Sequence, residues 1–129
     1  MNGIKEKFES FYPGRTSERL YSAPGRTEIC GNHTDHQHGK VLAAAVELLS
    51  RAAVLPNNSG VIRVKSEGYD YFEIDLSELS PVTAERGTTA ALVRGVAAGF
   101  AMRGFGVGGF DAYVSSDVLP GSGLSSSAS

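Results

Sequence analysis

Several features that would assign a function directly are missing from this sequence of 129 residues. Cys30 is the only cysteine, so no internal disulfide can form, and this indicates a cytoplasmic protein. No apolar run approaches the about 18 residues that a membrane span needs, and the N-terminus lacks the apolar stretch of a secretion signal. Lys and Arg form no block and the formal net charge is -2, so neither nucleic acid nor a membrane is expected as a partner.

The apolar fraction of 41% indicates a globular chain, and its length suits one ordinary domain without an internal repeat. Apolar spacing predicts a helix over residues 4–12. A strand over 20–22 should then run into a tight turn at Ala23-Pro24-Gly25, with a second short strand over 26–30. Residues 40–49 are rich in Ala and Leu, and their pattern fits either a helix or a buried strand.

The second half of the chain alternates between strand and helix patterns. Strand patterns over 61–66 and 71–76 predict a hairpin, which follows a turn at 57–60. Apolar residues at three- and four-residue spacing predict a helix that begins near Thr89 and ends before the glycine-rich turn at 104–109. A strand over 110–116 follows. This order favours an α+β or mixed α/β architecture.

The loop after residue 30 combines several side chains that can bind metal, namely Cys30, His33, Asp35, His36 and His38. Their spacing matches none of the common zinc patterns, and one short loop can rarely surround a tetrahedral ion alone. A loop that grips a polyhydroxylated ligand is the preferred interpretation. A metal site and a merely His-rich surface loop remain as alternatives.

The last eleven residues, from Leu119 to Ser129, consist mainly of Gly, Ser and Ala. Small residues let a backbone approach a ligand closely, and a helix that begins at Ser125 would direct unpaired N–H groups at an anion, for which phosphate is the obvious candidate. The stretch lacks the Lys of a Walker loop and the Gly-x-Ser-x-Gly of a nucleophilic serine. Pro120 and Leu124 argue against a flexible linker.

Two of these stretches resemble the motifs of a known family. The sequence from Ala23 to Asp35, Ala-Pro-Gly-Arg-Thr-Glu-Ile-Cys-Gly-Asn-His-Thr-Asp, resembles the galactokinase signature Gly-Arg-x-Asn-[Leu/Ile]-Ile-Gly-Glu-His-x-Asp-Tyr. Pro120 to Ser129 resembles the phosphate loop of the GHMP small-molecule kinases. The resemblance implies a mixed β-sheet with helices packed on one side. Residues 1–129 would be the front portion of the N-terminal domain, truncated at the phosphate loop, with the C-terminal domain absent.

The resemblance implies an enzyme that phosphorylates the anomeric C1 hydroxyl of galactose with ATP and Mg²⁺. Arg26 would hold the catalytic base and stabilise the transferring phosphoryl group. The sugar would be bound by Arg26, Asn32, His33, Thr34 and Asp35. The nucleotide would be bound by Ser66 and by Gly121, Ser122, Gly123, Leu124, Ser125, Ser126 and Ser127, with the Ser127 hydroxyl facing Mg²⁺.

Three departures from the family signature matter for the site. Glu28 stands in place of Asn, Asn32 in place of Glu, and His36 in place of Tyr. Exchange of a carboxylate for an amide at Asn32 removes a repulsion that would exclude an acidic sugar. A kinase for galacturonic acid or N-acetylgalactosamine is therefore an alternative, as is a non-catalytic sensor of galactose and ATP. The family's catalytic Asp lies beyond its phosphate loop, so we expect residues 1–129 alone to be inactive.

Overall fold

The computed structural model of the chain describes residues 2–31 and 38–118. Its elements, in chain order, are α1 (Asn2–Phe11), β1 (Arg19–Cys30), β2 (Leu42–Asn57), β3 (Val61–Ser66), β4 (Phe72–Asp75), a 3₁₀ helix (Thr83–Glu85), α2 (Thr89–Met102) and β5 (Gly109–Ser116). The strands form one sheet in the order β1-β2-β5-β3-β4. Because β3 pairs antiparallel with β4 and parallel with β5, the sheet is mixed, as predicted.

Two compact units divide the described residues. The first comprises residues 2–20 and 53–114, and the second comprises residues 21–31, 38–52 and 115–118. Strands β1, β2 and β5 each contribute residues to both units.

The core of the first unit follows from the alternation of β3 and the helical spacing of α1. Ile62 and Val64 point to the same face of β3 and are buried with Ile74 of β4. Ile4, Phe8 and Tyr12 recur at four-residue spacing and form a second buried cluster. Full burial of such side chains stabilises the fold by about 1.5–3 kcal/mol each.

A fully buried carboxylate, that of Asp111 on β5, lies in the same unit. The Asn57 amide donates to its Oδ1 at 3.0 Å, and an Arg63 Nη1 lies 3.3 Å from the same oxygen. Arg15 pairs with its Oδ2. Two guanidinium groups and an amide thus offset the desolvation of one buried charge, and they tie β5 to its neighbour β3 and to the segment after α1.

Helix α2 begins at the capping residue Thr88, whose hydroxyl accepts a hydrogen bond from the Ala91 N–H at 3.3 Å. Its buried residue Arg94 donates from Nε and Nη2 to the two carboxylate oxygens of Glu85, each at 2.8 Å. That pairing lowers the pKa of Glu85. Neither this helix nor any other in the described part of the chain is long and apolar enough to span a membrane.

Most predicted elements are confirmed, but the turn at Ala23-Pro24-Gly25 is wrong. Strand β1 runs without interruption from Arg19 to Cys30. In the strand order above, β1 is an edge strand and pairs with a neighbour on one side only. Proline has no N–H to donate, and at an edge the missing donor can lie on the side without a neighbouring strand, so Pro24 does not have to end β1. The ambiguity over residues 40–49 resolves to strand, because β2 begins at Leu42.

Candidate active site

Arg26, the candidate catalytic residue, lies on β1 in the second unit with 51% of its side chain exposed. Side chains two positions apart on a strand point to the same face, so Arg26 and Glu28 are neighbours. The Arg26 Nη2 lies 3.4 Å from the Glu28 Oε1. The guanidinium is therefore presented at the surface of the strand beside a carboxylate.

Gly31 matches the second glycine of the galactokinase signature that the motif resembles, and the structure shows why that position needs glycine. Its φ is +89°, a conformation that residues with a Cβ rarely adopt. A Cβ there would lie 2.9 Å from the Cα of Val41 and would collide with the carbonyl oxygen of Lys40. The backbone after β1 thus touches the backbone just before β2, and this close contact forms the base of the predicted sugar loop.

Most of the predicted binding residues lie outside the described residues. These are Asn32, His33, Thr34 and Asp35 in the sugar loop, and Gly121, Ser122, Gly123, Leu124, Ser125, Ser126 and Ser127 in the phosphate loop. Their roles remain predictions. The alternative metal site also remains a prediction, since three of its proposed ligands lie there too. Within residues 2–31 and 38–118, no group of three His, Cys, Asp or Glu side chains could hold a metal ion.

The end of β5 leads directly to the predicted phosphate loop and is firmly held within the second unit. The Ser116 hydroxyl lies 2.8 Å from the Ser50 hydroxyl, and the Asp117 N–H donates to the Leu49 carbonyl at 2.9 Å. The Asp117 carboxylate pairs with Arg51 at 2.6 Å. Val118, the last described residue, is buried. The predicted phosphate loop therefore follows a strand end that hydrogen bonds and an ion pair hold in place.

Ser66, the remaining predicted nucleotide contact, belongs to the first unit. It ends β3 opposite Val114 of the parallel strand β5, and its carbonyl accepts from the Tyr69 N–H at 3.1 Å in the turn toward β4. Its predicted contact with a nucleotide is not tested by this geometry.

Sequence reasoning missed two features of this site. One is the pairing of Arg26 with Glu28, although Glu28 was visible as a departure from the signature. The other is the backbone contact at Gly31, for which the glycine itself was the signal. Both became apparent only when β1 and the start of β2 were placed in space.

Comparison with known proteins supports the resemblance found in the motifs. The family described as the galactokinase galactose-binding signature matches residues 6–56, a range that contains Arg26, Glu28 and Gly31. A galactokinase from Chloroflexus aurantiacus is 38% identical over 122 residues, which cover 94% of this chain and 30% of that protein. The resemblance to galactokinases is confirmed.

Solved structures agree with this galactokinase likeness. The crystal structure of Lactococcus lactis galactokinase complexed with galactose matches 99% of this chain and 34% of its own, with a TM-score of 0.86 and 25% identity. The Methanococcus jannaschii mevalonate kinase, at 17% identity and a TM-score of 0.67 over 91% of this chain, shares the fold. The chain spans about a third of the length of the galactokinases it matches.

Proposed function

We propose that this chain is the N-terminal portion of an ATP-dependent galactokinase, which transfers a phosphoryl group to the C1 hydroxyl of galactose. The observation that carries the proposal is the match of residues 6–56 to the galactose-binding signature. That range contains β1, the strand on which Arg26 lies. We further propose that the remainder of the N-terminal domain and a C-terminal domain complete the full-length protein, and that it is cytoplasmic.

The chemistry of the residues fits these roles. A guanidinium fixed beside a transferring phosphoryl group supplies electrostatic stabilisation, which is the main contribution to catalysis in phosphoryl transfer. Amide, imidazole and carboxylate groups such as those of Asn32, His33 and Asp35 form directional hydrogen bonds to sugar hydroxyls. Arg26 would thus serve the reaction while the loop based on Gly31 selects the sugar.

The Gly/Ser loop after Val118 would bind ATP and Mg²⁺. Backbone N–H groups of Gly121 to Ser127 suit the phosphates, and the Ser127 hydroxyl is an oxygen ligand of the kind that Mg²⁺ prefers. The firmly held end of β5 supports this assignment, because a phosphate loop must leave a fixed strand to approach its ligand closely. When bound, Mg²⁺ neutralises charge on the phosphates.

The proposal is tested by replacing Arg26 in the full-length protein. We expect Arg26→Ala to lower kcat for galactose phosphorylation by on the order of 100–1000-fold, because the variant loses a fixed positive charge at the transition state. Arg103→Ala is the control and should leave kcat unchanged, since Arg103 is an exposed arginine of the first unit whose Nη1 donates to the Gly99 carbonyl at 3.0 Å. Unchanged kcat in Arg26→Ala, or a full-length protein that does not phosphorylate galactose, would contradict the proposal.

Asn32 favours a second candidate, a kinase for an acidic sugar such as galacturonic acid. Its amide lacks the carboxylate charge that the signature places there, so an anionic sugar meets no repulsion from this position. Assays with galactose, N-acetylgalactosamine and galacturonate in competition separate the candidates. If galacturonate is the substrate, Asn32→Glu should weaken its use. A non-catalytic sensor is disfavoured, because sensors that resemble galactokinases are interrupted in the stretch that corresponds to Ser125–Ser129, which this chain keeps whole.

A further inference from the structure

We propose that Glu28 is a positioning residue for Arg26, holding its guanidinium in the orientation that phosphoryl transfer requires. This inference rests on the proposed function, because it assumes that Arg26 acts on the transferring group. Glu28 is one of the departures from the galactokinase signature, and its Oε1 lies 3.4 Å from the Arg26 Nη2.

The side chains of Arg26 and Glu28 differ in how much of their surface is exposed. Glu28 has 22% of its side chain exposed, whereas Arg26 has 51% exposed. The carboxylate is therefore the more enclosed partner and the guanidinium the more accessible one. One nitrogen of Arg26 faces the carboxylate, and its remaining N–H groups can point to a ligand. Because an arginine side chain has many rotamers, a contact that restricts them lowers the entropic cost of reaching the productive geometry.

The sequence departures form a matched exchange. The signature places Asn and Glu at the positions of Glu28 and Asn32, whereas this chain carries Glu and Asn there. The formal charge of the motif is unchanged, but its carboxylate now stands two positions from Arg26 on the same face of β1. We infer that the carboxylate has passed from a sugar-binding position to one that orients the arginine.

A double-mutant cycle in the full-length protein tests this role. We expect Glu28→Ala to lower kcat about tenfold, the size of coupling common between contacting residues, while the KM for galactose stays within about twofold. In an Arg26→Ala background, Glu28→Ala should lower kcat no further, because the group it positions is gone. Glu28→Gln keeps an acceptor oxygen in place and should retain kcat within about threefold of the wild type.

Structural and positioning roles give different results in this cycle. If Glu28 only stabilised β1, Glu28→Ala would lower the melting temperature and would reduce kcat equally with and without Arg26. Such additivity would overturn the inference. The control Glu47→Ala removes an exposed carboxylate of the second unit and should leave kcat unchanged.

Failure of this inference can be told apart from failure of the proposed function. If Arg26→Ala itself leaves kcat unchanged, Arg26 is not catalytic and both proposals fall. If Arg26→Ala lowers kcat strongly but the effect of Glu28→Ala is additive with it, only the role of Glu28 is wrong. The double variant Glu28→Asn with Asn32→Glu restores the signature residues at these two positions, and we expect it to be more active on galactose than either single variant.

Discussion

The two units differ in what their side chains do. Among the described residues, every buried hydrophobic side chain except Val118 belongs to the first unit, as does the buried Asp111. The second unit carries Arg26, Glu28 and Gly31, and Val118 is the one buried hydrophobic side chain among its described residues. Folding stability and the candidate chemistry are thus concentrated in different segments, even though three strands contribute to both.

The largest contrast in stability should appear between variants of two aspartates of β5 and the residues just after it, Asp111 and Asp117. Asp111 is fully buried in the first unit with two arginines, whereas Asp117 in the second unit has 50% of its side chain exposed in its pair with Arg51. Asp111→Ala removes the buried acceptor that Arg15, Arg63 and the Asn57 amide share, so three hydrogen bonds to one carboxylate are lost. We expect it to lower the free energy of unfolding by about 3–5 kcal/mol. Asp117→Ala should cost about 0–1 kcal/mol. Urea denaturation of the protein measures both, and equal effects would contradict the contrast.

Two isoleucines, one on a strand in each unit, give a second test. Ile62 is 1% exposed and Ile29 is 64% exposed. Ile62→Ala removes core packing and leaves a cavity, so we expect a loss of about 2–5 kcal/mol. Ile29→Ala removes little buried surface and should change stability by about 0.5 kcal/mol or less. A large loss for Ile29→Ala, measured by the same denaturation, would show that the second unit also depends on this side chain.

The elements that could be predicted from sequence are those whose pattern is local. The spacing of Ile4 and Phe8 determines α1, and alternation in β3 and β4 determines the hairpin. The turn at Pro24 was predicted wrongly because tolerance of proline depends on where a strand lies in the sheet, which no local pattern contains. Residues 40–49 were ambiguous because Ala and Leu fit either element until long-range pairing decides.

The candidate site was predictable only in part. The motif around Arg26 and Gly31 indicated a resemblance to galactokinases, and the comparisons confirmed that resemblance. The contact between Arg26 and Glu28, and the approach of Gly31 to Lys40, depend on backbone geometry. A departure from a motif therefore marks a position worth examining, but only the structure identifies the group with which the new side chain interacts.

Two glycines with positive φ, one in each unit, allow the backbone requirements of the two units to be compared. Gly31 is pressed against the backbone of Lys40 and Val41, whereas Gly60, with φ +69°, has open space where a Cβ would lie. Gly60→Ala adds only the left-handed penalty and should cost about 1–2 kcal/mol. Gly31→Ala adds a collision with backbone, so we expect a shift of the sugar loop that raises the KM for galactose about tenfold or more. Initial rates across galactose concentrations, with Gly60→Ala as the control, decide this.

The smallest effect concerns the buried hydroxyl of Tyr12 in the first unit. It donates to the Ala112 carbonyl at 3.2 Å, and burial, the main cause, raises the pKa of Tyr12 above its ordinary value of 10.0. A raised pKa means that the stabilising contribution is complete below pH 10 and is lost as the pH rises from there toward the folded-state value.

Tyr12→Phe removes both the hydrogen bond and this pH dependence. At pH 8 the variant should be less stable by about 1 kcal/mol, the usual net value of such a bond. As the pH rises above 10 the wild type loses stability faster, so the two curves should converge when urea midpoints are compared between pH 8 and 11. Parallel curves would show that the Tyr12 phenol ionises as readily in the folded protein as in the unfolded chain. The first unit would then admit water at the residue that joins α1 to the strand carrying Ala112.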